Sequence, residues 1–198
     1  MYPESLNNLI ESFKKLPGIG QKTAERLAFA VMKFDDASSK KFSESILKVK
    51  NNLKRCVKCN HLTETELCDV CADKNRDKQV LCVVEHPKTI ILFEKLNIHN
   101  GIYHVLDNLI SPAEGIGPDD INLHQLVSRI EEEKCREIVL AIKPTIEGET
   151  TALYIKKILA GMNIKLSKIA YGIPMGADIE YVDSMTLELA FTERTPVS

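Results

Sequence analysis

The sequence predicts an α/β protein built from several domains. Three observations predict it: a helical, lysine-rich first quarter, a loop with two Cys-x-x-Cys pairs, and a second half in which short apolar runs alternate with helix-length stretches. With 198 residues and 44% apolar content, the chain has enough material for the core of one large domain or two small ones. No charged start followed by an apolar stretch opens the chain, and the longest apolar runs, VLCVV and TIILF, fall far short of a membrane span. A cytoplasmic protein without membrane contact is expected.

The first helix is marked by Leu6, Leu9, Ile10 and Phe13, which share one face at the i, i+3, i+4, i+7 spacing. It stops at Pro17-Gly18. A second helix follows the turn LPGIG, with Ala24, Leu27, Ala28 and Val31 on one stripe. Gly18 and Gly20 permit positive φ and close approach of a ligand, and the free N–H groups that open the second helix suit a phosphate. Lys22 and Arg26, four apart, share a face opposite the apolar stripe. The pattern resembles the helix-hairpin-helix motif, which grips DNA backbone without reading sequence; the alternative is a tight helix turn with two solvated cations. A third helix is expected over about 38–53, with Phe42, Ile46, Val49 and Leu53 inward and Lys41, Lys48, Lys50 and Lys54 outside.

Charge separates this region from the rest. From Lys14 to Lys58 there are twelve Lys or Arg against Glu25, Asp35, Asp36 and Glu44, about +8, so against a whole-chain charge of −2 the remainder carries about −10. A basic segment on a near-neutral protein suits a local nucleic-acid contact, because phosphate neutralisation dominates such affinity.

Cys56-Val-Lys-Cys59 and Cys68-Asp-Val-Cys71 are two pairs separated by eight residues. Each makes a tight knuckle, and two knuckles supply the four-sulfur shell that structural zinc prefers, one ion per chain. Such a shell leaves no open position for water, so the expected metal is structural rather than catalytic. His61 is a possible substitute for one thiolate. Cys82, inside VLCVV, and Cys135, ahead of a strand, are expected as plain core residues.

Beyond the polar linker 72–79, strands are expected at 80–84, 102–106, 137–142 and 166–170, and helices at 88–95, 121–133 and 151–162, a parallel α/β sheet. Ligands on such sheets bind beyond the carboxyl ends of strands, where Glu85 and the loop AIKPTIEGET with Glu147 and Glu149 fall. The run Glu131-Glu132-Glu133 is expected as a solvated helix end.

A glutamate ending the first strand and EGE after a later one resemble the Toprim domain of topoisomerases, bacterial primases and some nucleases. LPGIGQKTAERLAF, CVKC with CDVC, VVEHP, LISPAEGIGPDDI, KPTIEGETTALYI and AYGIPMGADIEYVD, in that order and over nearly the whole chain, resemble the RecR family of bacterial recombination mediators. The resemblance implies a helix-hairpin-helix and dimerisation region at 1–53, a zinc knuckle at 54–76, a Toprim domain at 77–172 and a C-terminal exchange segment at 173–198. Enzymatic Toprim domains carry Asp-x-Asp just upstream of EGE. Lys143 and Thr145 stand at those positions here, and relatives in this family commonly have asparagine at the first, so the magnesium site is expected to be broken.

The function so implied is non-enzymatic: a mediator at the nucleoid that binds single-stranded, double-stranded or gapped DNA through Gly18, Gly20, Lys22 and Arg26. It would pair into homodimers or ring-like homotetramers and act with RecO and RecF to help load RecA. Glu85, Glu147 and Glu149 are then read as a docking surface for RecO, the alternative being helix capping or inherited scaffolding. AYGIPMGADIEYVD, with its glycines and Pro174, is expected to be a bent crossing segment rather than a strand. Two rival readings are a magnesium-dependent Toprim nuclease or topoisomerase-like enzyme and a zinc-bearing transcription factor. The first lacks its ligands, and the second would need a helix suited to base edges.

Overall fold

The structure, a computed structural model describing residues 2–196, divides between Leu53 and Lys54 into two units. In the first, α1 (Glu4–Lys14) and α2 (Gln21–Val31) form an antiparallel hairpin whose small core is Ile10, Ala24 and Ala28, flanked by Leu6, Leu9, Phe13 and Ile19. Alanines at 24 and 28 remove side-chain bulk on one stripe, so the two helices approach closely. Helix α3 (Asp36–Asn52) starts at Asp35, whose carboxylate accepts the Ser38 N–H at 2.8 Å.

The expected inward face of α3 is not covered. Phe42, Ile46, Val49 and Leu53 are 42%, 58%, 62% and 39% exposed, and the helix buries no residue. Their spacing correctly marks an apolar stripe. Within this unit, however, only α1 and α2 enclose a core, and periodicity tells that a face needs cover without telling which chain supplies it.

The second unit opens with the two-stranded ribbon β1 (Lys54–Arg55) and β2 (Leu62–Thr63) and a single turn of helix, α4 (Asp69–Ala72). There follow β3 (Asp77–Val84), α5 (Pro87–Leu96), β4 (Gly101–Val105), α6 (Leu123–Glu133), β5 (Glu137–Ala141), α7 (Ile146–Ile158) and β6 (Lys165–Lys168). The four long-range strands pair in parallel in the order β4-β3-β5-β6. The fold is thus the α/β arrangement that the alternating pattern predicts. Strands and helices lie within a few residues of their expected positions, with one consequential exception: α7 begins at Ile146 rather than at Thr151, which puts Glu147 and Glu149 in its first turn and not in a loop.

Strand alternation sends side chains to two cores. Leu81, Val83, Ile102, Ile138 and Leu140 face Leu126 and Ile130 of α6 and Ile155 of α7. Cys82, Val84, Tyr103, Val105 and Ala141 face Ile90 of α5 together with Cys56, Cys59, Cys68 and Val70. The cysteine loop is therefore part of the sheet's own core. Cys82 and Cys135 are buried as expected, and burial alone pushes the Cys82 thiol up to about 12.

Strand β4 is an edge, yet polar groups at both of its ends are occupied. Val105 N–H donates to the Cys59 carbonyl at 2.9 Å, its own carbonyl accepts from Asn60 Nδ2 at 3.2 Å, and Arg76 donates to the Gly101 carbonyl at the other end. Past β6 the chain runs without strand through the Pro174 turn, where Ala177 N–H bonds the Pro174 carbonyl, to α8 (Ser184–Thr192). The expected bent segment is present, with Gly176 at φ +80°.

His104 on β4 is completely buried, its Nε2 2.8 Å from the Asn122 carbonyl, and desolvation pulls its pKa from 6.5 to about 4. Between those values the unfolded chain binds a proton that the folded one refuses, so stability is lost as pH falls through the window. The loss amounts to roughly 3 kcal/mol once complete. NMR titration should find the His104 ring neutral at about pH 5.5, where a solvent-exposed imidazole is largely protonated; a charged ring there would contradict this burial.

Candidate nucleic-acid interface and metal centre

The α1–α2 turn is shaped by few residues. Leu16 N–H bonds the Phe13 carbonyl at 3.0 Å and Ile19 N–H bonds the Leu16 carbonyl at 3.1 Å, while the Ile19 side chain packs on the hairpin core. Gly18 sits at φ +78°, a conformation that disfavours any Cβ. Gly20 does not share it. Its φ of −85° and ψ of 174° are extended, so the expected positive φ at this glycine is corrected to an N-cap role. The reason is mechanical: one left-handed residue already reverses the chain, and the next must enter a helix. Gly20 offers no side-chain cap, no acidic residue occupies the first turn of α2, and there is open space around both glycines. Positive N–H ends are thereby left bare. Lys22 and Arg26 are exposed on this helix and, among the described residues, neither forms an ion pair.

In the second unit the Sγ atoms of Cys56, Cys59, Cys68 and Cys71 all lie within 4.8 Å of one another, and the first three residues are buried. Backbone N–H groups already serve as donors to sulfur: His61 to Cys59 at 3.4 Å and Cys68 to Cys56 at 3.3 Å. Hydrogen bonds from the Cys59 and Cys68 thiols, followed by the Arg129 charge, draw the Cys71 thiol down to about 2, while the same contacts push Cys59 up. Four converging sulfurs with N–H donors fit a tetrahedral, electron-rich zinc shell. The His61 ring is outside the set. The loop is held to the sheet by Arg55, 2.8 Å from Asp107, by Asn60, which donates to the same carboxylate at 2.6 Å, and by Lys58, 3.0 Å from Glu133.

Glu133 also meets Lys78 at 3.2 Å and is only 11% exposed, so it is not the solvated helix end that a run of three glutamates predicts. It closes a contact between segments far apart in sequence, which no local charge pattern reveals.

The three acids of the sheet's carboxyl end are dispersed over different partners. Glu85 Oε1 lies 3.1 Å from Lys143 Nζ and 3.2 Å from His86 Nε2. Glu149 pairs with Lys168 at 3.3 Å, and Lys168 also reaches Glu193 at 3.1 Å. The Thr145 hydroxyl, then the local backbone, hold the Glu147 carboxyl below its ordinary range. Thr145, not a glutamate, caps α7 by accepting the Gly148 N–H at 3.3 Å. Gly148 is required sterically, since a Cβ there would collide with the Lys143 carbonyl. The ammonium of Lys143, its pKa raised by its hydrogen bond to Glu85, therefore lies against the acid that a magnesium site would use.

Comparison with known families finds four matches along the chain: RecR, helix-hairpin-helix, at residues 6–50; RecR, four-cysteine zinc finger domain, at 53–73; Toprim domain at 79–170; and RecR, C-terminal, at 172–195. The sulfur geometry and the zinc-finger match together identify Cys56, Cys59, Cys68 and Cys71 as the holders of one structural zinc ion. When bound it supplies cross-linking and charge, not reactivity. Because three of its sulfurs belong to the sheet's core, stripping the ion with a strong chelator should lower the thermal midpoint by more than about 10 °C. An unchanged midpoint in protein shown metal-free by emission spectrometry would overturn the structural role.

Proposed function

Given that the chain belongs to the RecR family, and so has a part in recombination and repair, we propose that it is a non-enzymatic mediator that clamps DNA by its backbone at single-stranded or gapped sites. With RecO and RecF it helps RecA replace single-strand-binding protein, working in the cytoplasm at the nucleoid. One observation carries the reading: the left-handed Gly18 turn, the uncapped start of α2 and the exposed Lys22 and Arg26, unpaired among the described residues, all lie on one short hairpin. Bare N–H groups and two free cations suit phosphate at any base sequence.

The assembly proposed is a homodimer closing into a homotetrameric ring. Its support is the exposed stripe of α3 and the exposed Met175, Tyr181 and Phe191 of the C-terminal segment, two apolar surfaces that a single chain leaves wet. Several weak phosphate grips on one ring become a strong one. The non-enzymatic part is supported by Lys143, whose ammonium meets Glu85 where catalytic Toprim chemistry needs an oxygen ligand for a hard cation. Glu85, Glu147 and Glu149 are proposed to serve RecO docking instead.

Double substitution Lys22→Ala and Arg26→Ala should weaken binding to all DNA sequences alike and reduce the salt slope by about 2 on duplex DNA. Gel shifts on gapped and supercoiled circles with magnesium test this, and the circles should return intact after protease digestion. Sequence-selective loss, or nicked DNA, would oppose the reading. Glu147→Lys should weaken RecO association on the order of tenfold, with DNA affinity and zinc content unchanged; equal RecO affinity, measured by calorimetry, would remove the docking assignment.

A further inference from the structure

Helix α6 has two working faces. Leu126 and Ile130 point into the sheet's core, whereas Gln125, Arg129 and Glu133, at i, i+4 and i+8, form a polar stripe against the cysteine loop. Gln125 donates to the Val57 carbonyl, Glu133 meets Lys58, and Arg129 Nη2 donates to Cys71 Sγ at 3.3 Å. The middle member is the unusual one.

Arg129 is 4% exposed, and among the described residues it has no carboxylate partner. Its Nε and Nη1 are buried without any hydrogen-bond acceptor. A guanidinium stays charged at any physiological pH, and an uncompensated charge in a protein interior is strongly destabilising. Some anion has to balance it. Cys71 is the group it touches, and a divalent ion held by four thiolates carries a net charge of −2. Two backbone N–H donors soften that charge, but neither brings a full positive charge.

We infer that Arg129 is the outer-shell cation of the zinc–thiolate centre, a positioning residue that raises zinc affinity and makes the seating of α6 depend on metal occupancy. With zinc bound, the guanidinium and the sulfur shell neutralise one another. With zinc removed, nothing holds the four sulfurs together against the guanidinium, and Arg129 loses the fixed acceptor it has at Cys71, so α6 loosens although no metal ligand lies on it. Arg129 and Cys71 are separated by 58 positions in sequence, and the contact therefore links the metal loop to the helix directly before β5.

The test is zinc competition against a chromophoric chelator, using the full-length protein. Arg129→Met, of similar length and uncharged, should lose zinc affinity roughly ten- to a hundredfold, the range for lost outer-shell partners. Arg129→Lys should recover part of it, and Gln125→Ala, which removes a loop contact but no charge, should stay within about twofold. A folded Arg129→Met protein with wild-type zinc affinity would overturn the inference. So would an equal loss in Gln125→Ala, since contact rather than charge would then explain it. Should Arg129→Met and Arg129→Lys both fail to fold, the wild-type protein decides the matter by NMR. The Arg129 Nε–H signal should be slow to exchange when zinc is bound and vanish on chelation, with the exposed Arg136 unaffected; an Arg129 signal indifferent to chelation refutes the coupling.

Discussion

Convergence of four sulfurs on one cation is the constraint on which the second unit rests. A loop of two short strands and one helical turn has too little apolar surface to fold by itself. Once cross-linked, it offers Cys56, Cys59, Cys68 and Val70 as a ready-made apolar patch, which completes the core under Cys82, Val84 and Tyr103. Metal binding and hydrophobic burial are consequently one event here. The ion pairs around the loop, Arg55 with Asp107 and Lys58 with Glu133, are partly exposed and add orientation more than free energy.

How much of this was legible in the sequence depended on the range of the interaction. The hairpin turn, the paired cysteines and the strand runs are local patterns, and Leu16 to Gly20, Cys56 to Cys71 and Val80 to Val84 could be read directly. Where a side chain's meaning came from a distant partner, reading failed. Glu133 looked like one of three solvated acids until Lys58 and Lys78 closed on it, and nothing in the sequence singled out Arg129. Residues 125, 129 and 133 share a helix face by spacing, but the same spacing serves a solvated face. The early start of α7 was missed because Pro144 and Gly148 read as loop residues. In fact Pro144 directly precedes the cap, and Gly148 is demanded by the Lys143 carbonyl.

The sheet's carboxyl end illustrates how one cation changes the character of a group of acids. Glu85, Glu147 and Glu149 keep the positions that a parallel sheet offers to a ligand, and Gly148 keeps the tight entry into α7. A single lysine alters what the framework prefers. An ammonium supplies donors only, so beside Glu85 it favours anionic or carbonyl partners over a hard cation.

The outer edge of β4 leads to a different kind of consequence. Its terminal N–H and carbonyl are satisfied by Cys59 and Asn60, residues whose own position depends on the metal loop. The loop thus acts as a removable cover on an otherwise open template for strand addition. Oxidative damage to the thiolates would uncover it, and chains that lose zinc together would meet edge to edge, adding strands to one another's sheets.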